Sequence, residues 1–101
     1  MKITIEELQE YLFDHYKNGG IDQSLFMKLV EEIGEVAEVL NKKAGRKSVG
    51  QEDLQTQLGN ELADVVHYTI AIAALNGIDM NDIILSKDKD ASIKLSLIHI
   101  S

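Results

Sequence analysis

The chain has 101 residues, of which 45% are hydrophobic and 27% are charged, and its formal net charge is -7. This length suits one domain, and the composition is that of ordinary globular proteins rather than disordered ones. The negative charge argues against DNA or RNA as a partner, because nucleic-acid binding depends on Lys and Arg contacts to phosphates. Since the chain has no Cys, a metal would need oxygen or imidazole ligands.

The beginning of the chain is acidic where a secretory signal would be apolar, and no apolar stretch approaches the ~20 residues that span a membrane. We therefore expect a cytoplasmic protein with no membrane partner. Residues 1–101 are expected to form a single helical domain, in which the tail over 91–101 has the least clear pattern.

Capping and periodicity signals predict four helices in chain order. The first begins after Thr4, which forms a capping box with Glu7, and ends at the glycines that follow Asn18. The later helices are predicted over 22–43, with Asp22 as a cap, over about 52–75, and from about 79 onward, with a loop over 45–50. Short connections favour antiparallel neighbours, so the predicted fold is all-α, an antiparallel four-helix bundle.

Carboxylates recur inside the apolar stripe of the second predicted helix. With Leu25 as zero and about 100° per residue, Glu32 lies at about 340°, among the inward apolar positions, and Glu35 lies at about 280°. Those apolar positions are Leu25, Leu29, Ile33, Val36, Val39 and Leu40. The same pattern recurs at a constant offset of 29 residues, where Glu61 and Asp64 take the places of the two glutamates.

Four inward carboxylates need a compensating positive charge, because each loses several kcal/mol of hydration and like charges raise one another's pKa. The i, i+3 spacing places each pair on one helix face, so both pairs can reach one divalent cation. Oxygen ligands favour Mg²⁺, with Mn²⁺ as the alternative. We therefore predict a metal site formed by Glu32, Glu35, Glu61 and Asp64. Glu31 and Glu38 point further out, and exposure on a solvated helix face remains the ordinary explanation for their presence.

The run Glu31-Glu32-Ile33-Gly34-Glu35, followed by Glu61-Leu62-Ala63-Asp64, resembles the E-E-x-x-E and E-x-x-D signature of MazG-like nucleotide pyrophosphohydrolases. The resemblance covers about residues 5–90. It implies an all-α fold in which the paired motifs face each other around Mg²⁺, within a homodimer or homotetramer. It also implies an enzyme that hydrolyses a nucleoside triphosphate to the monophosphate and pyrophosphate, as in removal of non-standard or surplus nucleotides.

The resemblance also implies roles for individual residues. Glu32, Glu35, Glu61 and Asp64 would bind the metal. Glu31 would lie in the outer shell or orient water, so Glu31 and Glu35 are the catalytic candidates, with the general base left open between motif carboxylates. The candidate substrate contacts are Lys28, Tyr68 and Lys87. An ion pair within the helix is the alternative for Lys28, and core packing is the alternative for Tyr68.

Other functions remain open from the sequence. The segment from Asp90 to Ser101 departs from the pattern of relatives, which leaves a catalytically idle nucleotide- or partner-binding module as the main alternative. A phosphoribosyl-ATP pyrophosphohydrolase shares the motifs. Asp64-x-x-His67 is half of a di-iron ligand motif, whose other half is missing. Gly34 and Gly59 each cost their predicted helix about 1 kcal/mol relative to Ala, which indicates close helix approach.

Overall fold

A computed structural model of the protein describes residues 1–45 and 53–100, with residues 89, 91 and 97–100 as backbone only. The helices within these ranges are α1 (Ile5–Tyr16), α2 (Asp22–Lys43), α3 (Leu54–Leu75), α4 (Met80–Lys87) and α5 (Lys89–Ile100). The prediction of an all-α fold is confirmed. Of the loop predicted over 45–50, Gly45 is described as a turn residue, and residues 46–50 lie outside the described residues.

Side chains fix where the helices begin. Thr4 and Glu7 form the predicted capping box, in which the backbone N–H of Glu7 donates to Thr4 Oγ1 at 3.0 Å and the Thr4 N–H donates to Glu7 Oε1 at 2.8 Å. Asp53 caps α3 and Asp79 caps α4 by a one-way bond, in which the Asp side chain accepts from the backbone N–H three residues later. The prediction that Asp22 caps α2 is wrong. Asp22 is already the first helical residue, and Ile21 occupies the cap position without a side-chain bond.

The helices α2 and α3 lie antiparallel along each other. Hydrogen bonds join the two ends of the pair: Asn76 Nδ2 donates to Asp22 Oδ1 at 3.1 Å, and Lys43 Nζ donates to Gln55 Oε1 at 2.7 Å. Each bond links the start of one helix to the end of the other. This antiparallel pair is the part of the fold that positions the predicted acidic residues.

The helix α1 packs on a second face of α3. The centre of this contact is a buried cluster of Leu12, Leu25, Ile70 and Ala71, in which Leu12 is fully buried. The helix α4 packs against α1 and α5. Among the described residues, α3 is therefore central and α2 packs extensively on α3 alone.

This arrangement changes two expectations. The predicted inward residues Ile33 and Leu40 are about half exposed, because α3 covers only part of the apolar arc of α2. The predicted fourth helix is divided at Asp88, whose extended backbone (φ -116°, ψ 95°) separates α4 from α5. In the described part of the chain, none of the helices combines the length and apolar character that a membrane crossing requires.

Candidate metal centre

The antiparallel pairing of α2 and α3 brings the predicted acidic residues together. One carboxylate oxygen each from Glu32, Glu61 and Asp64 lies within 4.8 Å of the others. Glu35, one turn after Glu32, is near enough to this group for its carboxyl to raise the pKa of both Glu61 and Glu32. Two pairs spaced i, i+3 on separate helices thus meet in one cluster, which we call the carboxylate cluster.

The cluster has a half-buried floor and an exposed rim. Glu32 and Glu61 are partly buried, whereas Glu35 and Asp64 are exposed. Atom Oε2 of Glu32 and atom Oε2 of Glu61 are both buried, and neither has a hydrogen-bond partner among the described residues. Buried carboxylate oxygens of native proteins are normally paired, so these two atoms lack the positive charge or donor that their position requires.

The crowding changes how the cluster holds protons. The pKa of Glu61 is raised to about 7, first by the adjoining carboxyl of Glu35, then by that of Glu32, and further by loss of hydration. A hydrogen bond with Glu61 favours the ionised form of Glu32, but desolvation and the neighbouring Glu35 and Asp64 outweigh it, so the pKa of Glu32 is also raised. Without a cation, the raised pKa of Glu61 and of Glu32 therefore reduces the number of negative charges that repel one another in the cluster.

The donor set fits a hard divalent cation. All the ligand atoms on offer are carboxylate oxygens, which suit Mg²⁺ and Mn²⁺ better than softer metals. Glu32, Glu61 and Asp64 each offer an oxygen within 4.8 Å of the others, so these three residues would hold one shared cation after adjustment of their side chains. The two buried oxygens without partners are the observation that favours such an ion.

Two predicted residues lie on the flank of α2 instead of in the cluster. Lys28 Nζ is 3.5 Å from Glu31 Oε2, and both side chains are 59% exposed. The ion pair within the helix that the sequence offered for Lys28 is therefore present, with Glu31 as its partner. This pair is open to solvent one turn before Glu32.

Residues beyond the cluster on α3 face α1. Tyr68 is half-buried and packs against the core, and its ring lies edge-on to that of His67, with the ring centroids 4.9 Å apart. The hydroxyl of Tyr16 and Nε2 of His67 are hydrogen-bonded at 2.7 Å. Sequence reasoning missed this bond, because the two residues are 51 positions apart and only the fold brings them together.

Lys87 lies exposed in the last turn of α4.

An all-α fold with a cluster of carboxylates from two antiparallel helices defines a helical protein with a candidate site for a hard cation. Residues 22–90 match the family model described as the MazG nucleotide pyrophosphohydrolase domain. This match covers more than half of the chain and confirms the resemblance seen in the acidic motifs, so the protein belongs to the MazG family. None of the curated proteins matches the chain.

Proposed function

We propose that the protein is a Mg²⁺-dependent nucleoside triphosphate pyrophosphohydrolase, which forms a nucleoside monophosphate and pyrophosphate. The observation that carries the proposal is the meeting of Glu32, Glu61 and Asp64, with two buried oxygens that lack partners, in a chain of the MazG family. The proposal includes a role in clearing surplus or non-standard nucleotides in the cytoplasm. It also includes a homodimer or homotetramer and Mn²⁺ as an alternative ion.

Glu32, Glu35, Glu61 and Asp64 are the proposed metal ligands. When bound, the cation supplies charge that offsets the triphosphate and lowers the pKa of a coordinated water. The partly buried Glu32 and Glu61 form the floor of the site, and the exposed Asp64 and Glu35 leave its other side open to substrate. This division suits a small polyanion that arrives from solvent.

The reaction adds water across the bond between the α- and β-phosphates. A bond forms between the water oxygen and the α-phosphorus, the bond from that phosphorus to the bridging oxygen breaks, and pyrophosphate leaves with that oxygen. A carboxylate must accept the proton of the water. Glu35 and Glu31 are the proposed catalytic residues, because both are exposed within one turn of Glu32 and either can contact water there.

Three residues are proposed to contact the substrate. Lys28 is exposed one turn before Glu32, so a phosphate can replace Glu31 as the partner of its ammonium group. Tyr68 lies one turn after Asp64 on α3, where its ring can contact the nucleoside. Lys87 is assigned to phosphates from the resemblance, and its exposed ammonium group has the right charge.

The test is a screen of canonical and modified nucleoside triphosphates with Mg²⁺, with Mn²⁺ and with a chelator, in which monophosphate and pyrophosphate are both measured. We expect the two products in equal amounts from at least one nucleotide, and none with the chelator. The variant Glu61→Gln should lower kcat/KM at least about 100-fold, because it removes a ligand from the floor of the site. The matched control is Glu38→Gln, which changes an exposed carboxylate of α2 outside the cluster.

Failure of every nucleotide to turn over, with metal demonstrably bound, would contradict the proposal. Nucleotide binding that depends on Mg²⁺ but yields no product would identify the chain as a binding module of the same family.

A further inference from the structure

The chain contains two Asn-Gly pairs, and each follows the end of a helix. Asn18-Gly19 comes after α1, and Asn76-Gly77 comes after α3. The remaining asparagines lie within helices and precede charged residues: Asn41, Asn60 and Asn81. Asparagine is one of the thermally labile residues of proteins, and a following glycine exposes its side chain to attack because no Cβ shields the next main-chain nitrogen. The two pairs are therefore the positions at which this chain can lose a side-chain amide most readily.

The reaction at such a pair is an attack of the chain on its own side chain. The main-chain nitrogen of the glycine forms a bond to Cγ of the asparagine, and the bond from Cγ to Nδ2 breaks. Nδ2 leaves as ammonia, with the proton that the glycine nitrogen gives up, and a five-membered cyclic imide remains. Water then opens one of the two carbonyl–nitrogen bonds of the ring, which produces either aspartate or isoaspartate, whose main chain runs through the side-chain carbon. Water enters and ammonia leaves, so the reaction needs no further reactant.

The attacking nitrogen makes the same kind of hydrogen bond at both pairs. The N–H of Gly19 donates to the carbonyl oxygen of Tyr16 at 3.1 Å, and the N–H of Gly77 donates to the carbonyl oxygen of Ala74 at 3.2 Å. Each bond runs to the residue three positions earlier, and each must break before the nitrogen can attack. These bonds therefore do not distinguish the two pairs. A difference in reactivity must come from the side-chain amides.

The side-chain amide of Asn76 is held by two hydrogen bonds. Its Nδ2 donates to Asp22 Oδ1 at 3.1 Å and to the carbonyl oxygen of Ile72 at 2.8 Å, which uses both of its N–H donors. To form the imide, the side chain must turn Cγ toward the nitrogen of Gly77 and release Nδ2, which breaks both bonds. The Asp22 carboxylate also disfavours the negative charge that develops on the amide oxygen during the attack. The fold therefore protects Asn76.

The side-chain amide of Asn18 has no such restraint. Asn18 is exposed, and its amide makes no hydrogen bond to any residue in the described part of the chain. The amide can therefore rotate without the loss of a bond within the protein, because water remains its partner throughout. The space beside it is also open, since a Cβ built on Gly19 would meet nothing within 4 Å. An imide ring can thus close between Asn18 and Gly19 without a collision.

We propose that Asn18 is a site of spontaneous deamidation, at which the nitrogen of Gly19 closes the imide ring, whereas the fold protects the same dipeptide at Asn76. This modification is independent of the proposed hydrolase activity. Its consequence follows from the turn after Asn18, where the N–H groups of Gly19 and Gly20 both donate to the carbonyl oxygen of Tyr16, at 3.1 Å and 2.7 Å. Gly20 is in tight contact there, since a Cβ built on it would lie 2.8 Å from Tyr16 Cβ. An isoaspartate adds one atom to the main chain before this turn, so the hydrogen bonds to Tyr16 are lost and the end of α1 is destabilised.

The test is to age the folded protein at mildly alkaline pH and then to map its peptides by mass spectrometry. Replacement of NH₂ by OH raises the mass of a peptide, and digestion with trypsin after Lys17 and Lys28 separates Asn18 from the other asparagines. Fragment spectra assign any mass gain in the remaining peptides to one residue. We expect Asn18 to deamidate at least about tenfold faster than Asn76, because Asn76 must first give up two hydrogen bonds.

Two comparisons separate protection by the fold from the chemistry of the dipeptide. In the same chain unfolded in guanidinium chloride, the two rates should agree within about twofold, because both amides are then solvated. Asp22→Ala removes one partner of the Asn76 amide and should speed its deamidation at least about threefold, while the rate at Asn18 stays unchanged. Asp82→Ala is the matched control, because Asp82 is an exposed aspartate in the first turn of α4 without a side-chain bond to Asn76. Circular dichroism of each variant verifies that it is folded.

Equal rates at Asn18 and Asn76 in the folded protein would overturn the proposal, as would a rate at Asn18 that falls at least about tenfold when the unfolded chain folds. The consequence has its own test, in which the isoaspartate form of aged protein is separated by ion-exchange chromatography and melted beside fresh protein. We expect a lower melting temperature for the aged form. Asn18→Gln, whose longer side chain cannot close a five-membered ring, should age without this loss, and an equal loss in that variant would refute Asn18 as its cause.

Discussion

Binding of a cation to the carboxylate cluster should release a proton, with Glu61 as its main source. The pKa of this residue is raised to about 7, so at neutral pH the metal-free protein carries its proton about half of the time. A cation that uses Glu61 as a ligand must displace this proton, because only the ionised carboxylate binds metal well. The experiment therefore varies the pH across the physiological range and uses the wild-type protein throughout.

The size of the effect follows from the position of the pKa. At pH 8 about one protein in ten is protonated at Glu61, and at pH 6 about nine in ten are. The apparent Mg²⁺ affinity should therefore fall about tenfold from pH 8 to pH 6 through this residue alone. The raised pKa of Glu32 acts in the same direction.

Isothermal titration calorimetry with Mg²⁺ measures both quantities. Titrations in pairs of buffers that differ in ionisation enthalpy give the number of protons released, which should be about one half per ion at pH 7 and close to one at pH 6. Glu61→Gln should bind Mg²⁺ more weakly and lose most of the pH dependence. Glu38→Gln should retain both. Equal affinity at pH 6 and pH 8, without proton release, would refute the assignment of Glu61 as a ligand.

Three further predictions concern stability, each measured by urea denaturation. In the metal-free folded protein Glu61 keeps its proton up to a pKa of about 7, whereas the unfolded chain loses it near the ordinary pKa of 4.5. The free energy of unfolding should therefore fall as pH rises from about 4.5 to about 7. An equal fall in Glu61→Gln would contradict this. Leu12→Ala should cost about 2–5 kcal/mol, because Leu12 is fully buried, and a loss below about 1 kcal/mol would show that the core is not centred there. Gly20→Ala should cost about 1–3 kcal/mol, because its Cβ would lie 2.9 Å from the backbone carbonyl oxygen of Tyr16 and 2.8 Å from Tyr16 Cβ, which cannot move aside as a side-chain end can. Gly19→Ala would meet nothing within 4 Å and should be tolerated, so equal stability of the two variants would refute the tight contact.

The acidic motifs were predictable because their geometry is local. Two carboxylates spaced i, i+3 share a face of any helix, and the 29-residue repeat matches that face on the next helix. Antiparallel pairing of consecutive helices then brings the two faces together. The roles of all the site residues, as metal ligands, catalytic groups or substrate contacts, stay predictions, since they depend on a bound ion and nucleotide.

Features that depend on how many neighbours a helix has were not predictable from its own pattern. The wheel of α2 treats Ile33 as inward, yet Ile33 is half exposed because α3 covers only one side of the stripe. Periodicity likewise could not locate the break at Asp88, where an apolar pattern continues on both sides. The bond between Tyr16 and His67 needs the packing of α1 on α3, which neither segment encodes alone.

The side chain of Gln9 joins α1 to the turn that leads into α4. Its Nε2 donates to the carbonyl of Ile78 at 2.5 Å, and its Oε1 accepts from the N–H of Met80 at 3.3 Å, so one amide holds both sides of the turn into α4. Among the described residues, α4 reaches the rest of the protein mainly through α1. During synthesis, α1 leaves the ribosome before α4, but it gains these two hydrogen bonds only when the turn into α4 has emerged. Proteolytic removal of α1 would therefore cost α4 both hydrogen bonds of Gln9 and its packing against the cluster that includes Leu12, although the cut lies far from α4 along the chain.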